Sequence, residues 1–198
     1  MKSKFKYYVF NKPFNVLSQF TREANQESIA DYFYLDIKDV YPIGRLDKDS
    51  EGLLILTNDK RLNAMLLSPK QKKTKTYLAQ VEGMFSKEAA KKLKEGVHIT
   101  VDKKVYETLP ANAKIIERPK YLWNRIPPIR VRKDIPISWV EIKLIEGKNR
   151  QVRKMLAAVG YPVLRLIRMR IEDLDLNQIS SGDIQEYHQQ EFYRKLGL

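Results

Sequence analysis

The side chains best placed to do chemistry concentrate in one stretch. Residues 41–59 read YPIGRLDKDSEGLLILTND, with Asp47, Asp49 and Glu51 just ahead of the apolar run Leu53–Leu56. Carboxylates serve as general bases, nucleophiles or cation ligands. The cation option fails on spacing. Asp47, Asp49, Glu51 and Gly52 fall at positions 1, 3, 5 and 6 of a calcium loop, but position 12 would be Asn58, where a bidentate Glu is required. The Leu53–Leu56 run would also have to lie in an exposed loop. Asp47 instead sits in a turn-like loop before a buried strand, a place from which anchored loops present catalytic groups. Local sequence leaves it open between that role and the commoner one of a hydrogen-bonding turn aspartate. Other chemistries are poorly supplied. The chain has no Cys, which excludes disulfides, thiolate zinc and cysteine nucleophiles. Its two histidines, His98 and His188, are too few for a multi-His metal site and offer little to a Ser-His-Asp triad.

The elements that must position Asp47 follow from pattern. Gly52–Thr57 reads as a buried strand bounded by turn residues. Tyr7–Phe10 reads as a short strand ended by the turn signal Asn11-Lys12-Pro13. Residues 60–67 read as a short helix stopped by Ser68-Pro69. Thr76–Glu82 alternates, with Tyr77, Ala79 and Val81 on one face. Ser86 reads as the N-cap of a helix through Glu95, closed by Gly96. Val97–Val101 and Trp139–Ile145 alternate again, the latter with Val140, Ile142 and Leu144 on one face. The clearest helix follows Gly147, with Val152, Met155, Leu156 and Val159 at i, i+3, i+4 and i+7, and Gly160 and Pro162 end it. Four prolines in 118–136 predict an extended loop there. Several strands with a few helices and no regular βαβ alternation predict an α+β fold. The 198 residues suit one domain, divided near 68–74 into approximate lobes 1–68 and 69–198.

Charge points to the partner. Lys plus Arg number 37 against 24 Asp plus Glu, a formal net charge of +13. Lys70, Lys72, Lys73 and Lys75 lie in a segment without acids. Arg118, Lys120, Arg125, Arg130, Arg132 and Lys133 form a second such segment. Lys143 to Arg170 holds eight bases against the single acid Glu146, whereas 171–198 holds six acids and two bases. One basic run is ordinarily a solvated face; three in so basic a chain predict a nucleic-acid partner. The apolar runs are far short of a membrane span, and the N-terminus lacks a signal-peptide pattern, so a cytoplasmic protein is expected.

Four strings in order carry a resemblance. Gly44-Arg45-Leu46-Asp47 followed by Ser50–Asp59 closely resembles the catalytic motif of the RsuA-type pseudouridine synthase family. Phe10–Pro13 resembles its N-terminal strand-turn motif, Lys75-Thr76-Tyr77 the short motif carrying its active-site tyrosine, and Leu144–Met155 the late motif carrying its active-site arginine. Pro127–Arg130, Ile135–Trp139 and Phe14–Phe20 resemble the branch acting on the large ribosomal subunit. The resemblance implies a pseudouridine synthase catalytic fold, two lobes around a mixed, mainly antiparallel sheet with flanking helices. Many members carry a small N-terminal S4 domain; none is expected here, because little chain precedes Tyr7.

The family implies that a uridine in RNA, here of the 23S ribosomal RNA, free or within a pre-ribosomal particle, is isomerised to pseudouridine; a monomer without a membrane partner is expected. No net oxidation or group transfer occurs, so no metal, redox cofactor or nucleotide is implied. The resemblance carries the catalytic carboxylate to Asp47, which would attack C1′ or remove the 2′ proton. Arg153 would hold that carboxylate ionised and oriented, or else be an exposed residue on a basic helix. Tyr77 would stack on the target base, or else be a core tyrosine. Arg45 would fill the gap left by the flipped uridine, or contact a phosphate. Lys12 and Lys75 read as phosphate contacts or solvated charges, and Arg125, Arg130, Arg132, Lys148 and Arg150 as RNA-binding residues. Trp123 and Trp139 are able to stack on bases, although Trp139 beside a core strand reads as packed. A non-catalytic RNA-binding or ribosome-assembly protein is the competing class, and it would have no need of Asp47, Tyr77 and Arg153 together. A DNA-binding protein would need a recognition pattern that is missing.

Overall fold

The computed structural model describes residues 5–33, 39–68, 71–130, 134–176 and 178–198. In chain order the first elements are β1 (Tyr7–Lys12), β2 (Tyr41–Pro42), β3 (Glu51–Thr57), α1 (Lys60–Leu67), β4 (Lys75–Glu82), α2 (Lys87–Glu95), β5 (His98–Val101) and β6 (Lys104–Glu107). The rest are β7 (Asn112–Ile116), β8 (Ile137–Leu144), α3 (Gln151–Ala158), β9 (Val163–Ile171), β10 (Leu174–Asp175), β11 (Ile184–Tyr187) and α4 (Gln189–Lys195). The fold is α+β, and β1–β11, β1–β3, β4–β8, β7–β8 and β5–β6 are all antiparallel pairs.

Two compact units divide the chain. The first comprises residues 1–73 and 168–198, the second 74–167. The first boundary lies between residues 73 and 74. The second corrects the expected contiguous lobes 1–68 and 69–198: the C-terminal segment returns to the first unit because β11 pairs with β1, Tyr7 opposite Tyr187.

In the first unit β1 lies between β11 and β3, with Lys12 opposite Gly52. The run Leu53–Leu56 is buried along its whole length, as an apolar strand covered on both faces must be. Strand β1 extends two residues beyond Phe10. Asn11 continues the ladder by donating its amide to the Asp183 carbonyl and accepting from the Gly182 amide, and its side chain donates to the Ile179 carbonyl. Helix α1 starts at Asp59, whose carboxylate accepts the Arg61 and Leu62 amides. It stops at Ser68, which is extended, as a residue before proline must be. Asp59 also accepts the Tyr7 and Tyr193 hydroxyls at 2.8 and 2.6 Å, binding β1, α1 and α4 together. Burial pushes that carboxyl up, but the bonds from the two tyrosines and the helix amides outweigh it and hold it below the usual carboxylate range.

In the second unit β8 lies between β4 and β7, with Tyr77 opposite Ile142, and β5 pairs with β6 as a separate hairpin. Tyr77, Ala79 and Val81 share one core with Val140, Ile142, Leu144, Val152, Met155 and Leu156. That core joins the alternating faces of two strands to the apolar stripe of α3. Ser86 caps α2 through the Ala89 amide, and Gly96 closes it at a φ of 95°, as the sequence predicts. Residues 118–130 form no helix or strand, again as predicted.

Candidate active site

In the first unit Asp47 opens a turn that precedes β3, closed by the Ser50 amide donating to its carbonyl at 3.0 Å. Three separate groups hold this turn. The Ser18 hydroxyl accepts the Leu46 amide at 3.1 Å and donates to the Leu46 carbonyl at 2.8 Å. The Asn15 amide donates to the Lys48 carbonyl at 2.8 Å. Lys12, 0% exposed, sends its ammonium to the carbonyls of Pro13 and Val16 at 2.8 Å and of Lys48 at 3.4 Å. The Asp47 backbone is therefore fixed on both sides, and the residue itself is half-buried.

The rear of the turn is equally constrained. Gly52 has a φ of 104°, and a Cβ there would lie 2.3 Å from the Arg168 carbonyl oxygen. Only glycine permits this approach of β3 and β9. The buried Arg168 donates its Nε to the Leu53 carbonyl at 2.8 Å. Lys12 thus lies within electrostatic reach of Asp47, Asp49 and Glu51 as well as of Arg168. Burial drives the Lys12 ammonium down to about 7; the three carboxylates oppose that shift and Arg168 adds to it.

Lys12 is the clear correction to expectation. It is neither a phosphate contact nor a solvated charge, because its ammonium is spent on backbone carbonyls inside the fold. The sequence does not announce Lys12, Ser18 or Arg168 as parts of the turn. No local signal marks Lys12, because its partners are carbonyls that only the fold brings together. Arg45, also in the first unit, is exposed and donates to the Gln19 side chain at 2.8 Å. Glu51 and Leu53–Leu56 lie buried in β3, not in an exposed loop, and no cluster of three or more metal-ligating side chains occurs among the described residues.

The second unit holds Tyr77 and Arg153. Tyr77 is 9% exposed and contributes to the core, its place in β4 fixed by the register with β8. Arg153 is half-buried on α3 and donates to the Val163 carbonyl at 3.3 Å. The start of α3 is set by a hydrogen-bonded loop. Buried Gln151 accepts the Lys148 amide at 2.9 Å and donates to Glu146 at 2.6 Å. Glu146 also accepts the Tyr106 hydroxyl and, at 2.8 Å, the Leu109 amide. Glu146 stands alone among eight bases in sequence, and that isolation was the one available sign of a structural task. The loop ends at Arg150, in the left-handed region at a φ of 53°.

The expected RNA-binding side chains lie as follows. Lys148 and Arg150 are exposed, with the Lys148 ammonium 4.8 Å from the Tyr106 ring centre. Lys75 is half-buried and donates to the Ile145 carbonyl at 3.5 Å. Arg125 donates to the Pro127 carbonyl at 2.9 Å, and Arg130 is exposed. Arg132 lies outside the described residues. Trp139 is buried, as expected, whereas Trp123 is half-buried under the Arg165 guanidinium.

Residues 6–158 match the RNA pseudouridylate synthase family. The chain belongs to this family. A ribosomal large subunit pseudouridine synthase E of Vibrio parahaemolyticus is 46% identical over 91% of this chain and 73% of the relative. The protein of the same name from Xanthomonas axonopodis is 43% identical over 87% of this chain and 88% of the relative. A solved pseudouridylate synthase superposes with a TM-score of 0.77 at 25% identity, covering 97% of this chain and 74% of that one. In this RNA pseudouridylate synthase, then, the Asp47 turn of the first unit and the loop from Glu146 to Gln151 of the second are both irregular segments held by hydrogen bonds.

Proposed function

We propose that this chain converts a specific uridine of large-subunit (23S) ribosomal RNA to pseudouridine, with Asp47 as the catalytic carboxylate. The observation that carries the reading is the Asp47 turn itself: a family motif whose backbone is held from both sides at a half-buried residue. A turn so held keeps a reacting group in place without reorganisation, which favours its geometry in the transition state. The names of the relatives support the substrate.

The reaction is an isomerisation. The C1′–N1 bond breaks, the base turns, C5 joins C1′, and the C5 proton is lost as N1 gains one. Asp47 either bonds C1′ and is later released, or removes the 2′ proton and returns it. In both routes atoms and charge balance within the substrate and one carboxylate, so no metal or cofactor is required. Arg153 is the proposed counter-charge of Asp47, and Tyr77 the proposed stacking partner of the target base. Arg45 is the proposed filler of the gap left by the flipped nucleotide, which its exposed position permits. Lys75, Arg125, Arg130, Arg132, Lys148 and Arg150 are proposed to contact the RNA; Lys12 is not. The same reading makes the enzyme a cytoplasmic monomer; among the described residues no helix is long and apolar enough to cross a membrane.

Mapping pseudouridines in 23S ribosomal RNA from cells with and without this protein tests the reading. One position should lose its signal and regain it on complementation. An unchanged map would overturn the proposed substrate.

A further inference from the structure

The basic segment of the second unit has a feature that catalysis does not use. The Leu122 amide donates to the Pro119 carbonyl at 3.1 Å, closing a turn with Lys120 and Tyr121 at its tip. The turn is pinned from below. Arg118 donates to the Leu122 carbonyl at 3.2 Å and to the Asn124 side chain at 3.0 Å. Leu122 is buried. Buried Arg165 donates to the Trp123 carbonyl at 3.0 Å and lies 5.6 Å from the Trp123 ring centre. Yet Tyr121 stands 69% exposed above these anchors.

A single exposed apolar side chain is ordinary. Tyr121 differs in its setting. Its tip neighbour Lys120 is an exposed ammonium, and no acid occurs from Arg118 to Lys133. The other strongly exposed aromatic ring among the described residues, Tyr41, follows Asp39 and Val40 and has no such basic run. A ring presented on a hydrogen-bonded turn beside an exposed ammonium, in a stretch of chain without acids, complements a nucleobase with its phosphate. It is less suited to an acidic or apolar protein surface, which would leave either the ring or the charges unmatched.

We propose that Tyr121 is a stacking platform for an unpaired base of the substrate RNA other than the target uridine, with Lys120 on the adjoining phosphate. The proposal rests on the reading of this protein as an RNA-modifying enzyme, and supplies it with a site for selecting single-stranded RNA. Stacking tolerates any base, because every base has a π-face, so Tyr121 selects for strandedness rather than sequence. The pinned turn reduces the ordering entropy that binding costs.

The test compares Tyr121→Ala, Tyr121→Phe and Tyr121→Trp in the full chain, with unfolding midpoints as the folding control. Affinity is measured by fluorescence anisotropy for a single-stranded oligoribonucleotide and for a blunt duplex of the same length. Tyr121→Ala should weaken single-strand binding roughly tenfold, with Phe and Trp restoring it and duplex binding unchanged. Tyr121→Trp emission should be quenched by the single strand. In pseudouridine formation the alanine variant should raise KM and leave kcat in place. Equal single-strand affinity for wild type and Tyr121→Ala would overturn the proposal. So would a phenylalanine variant as weak as alanine. Unchanged RNA affinity with abolished binding to a pre-ribosomal particle would make the tip a protein-docking site instead. The enzymatic reading fails separately: a wild-type protein that makes no pseudouridine, but whose single-strand affinity falls on Tyr121→Ala, keeps the platform and loses the reaction.

Discussion

Replacing Lys12 by Met keeps the length of the side chain and removes its ammonium. The carbonyls of Pro13 and Val16 each lose a donor at 2.8 Å, whereas Lys48 keeps the Asn15 amide. Each buried acceptor left unmet costs about 1–3 kcal/mol. The loss of both donors amounts to about 2–6 kcal/mol where Lys12 is neutral in the fold; at and below about pH 7, relief from burying the ammonium offsets most of it. The pH dependence adds a second reading. The folded-state value of Lys12, about 7, lies below its ordinary 10.5. Between these values the unfolded chain binds the extra proton, so raising the pH favours the fold by at most about 1.4 kcal/mol per unit. That contribution is complete above the unfolded value and is lost as the pH falls through about 7. Urea unfolding of wild type and Lys12→Met across the neutral to alkaline range measures both effects. The variant should be less stable at alkaline pH and should lack the rise above neutrality, so that the two curves converge as the pH falls towards 7. Its kcat should also fall, because the Asp47 turn loosens. A variant with wild-type stability, pH profile and turnover would refute the structural role assigned to this ammonium.

Three further outcomes are expected. Arg153→Met should lower pseudouridine formation about a hundredfold or more by leaving Asp47 without its proposed counter-charge, with Arg153→Lys partly restoring it; wild-type turnover in Arg153→Met would sink the pairing. Gly52→Ala should destabilise the first unit by at least about 2 kcal/mol in thermal unfolding, because the added Cβ meets a backbone oxygen and the φ is unfavourable. Replacing Arg125, Arg130 and Arg132 by Gln should weaken RNA binding and flatten its dependence on salt by about 0.7–0.9 for each phosphate no longer neutralised, as read from affinities between about 50 and 200 mM salt. An unchanged slope with a lowered melting temperature would make this segment structural.

Elements governed by local pattern were legible in the sequence. The Gly52–Thr57 strand, the Ser86 cap and the Val152–Met155–Leu156 stripe each depend on residues close by in the chain, and each appears where predicted. What depended on distant partners was not legible. The end of β1 shifts by two residues because segment 179–183 returns to pair with Asn11. The C-terminal segment joins the first unit for the same kind of reason, β11 finding β1. Lys12 misled because a lysine is exposed by default, and its burial depends on three carbonyls that only the folded loop brings together. Asp47 was legible as a motif residue, but the device that holds it, Ser18 bonding both polar groups of the Leu46 backbone, reaches across 28 positions of chain.

The most direct measurement replaces Asp47 by Asn and maps pseudouridine in 23S ribosomal RNA treated with purified protein, with RNA affinity measured in parallel. Asparagine keeps the shape and the turn while removing the carboxylate that bonds C1′ or takes the 2′ proton. Wild-type affinity with no pseudouridine at the target position is the expected result. Pseudouridine formed at the wild-type rate by Asp47→Asn would contradict it.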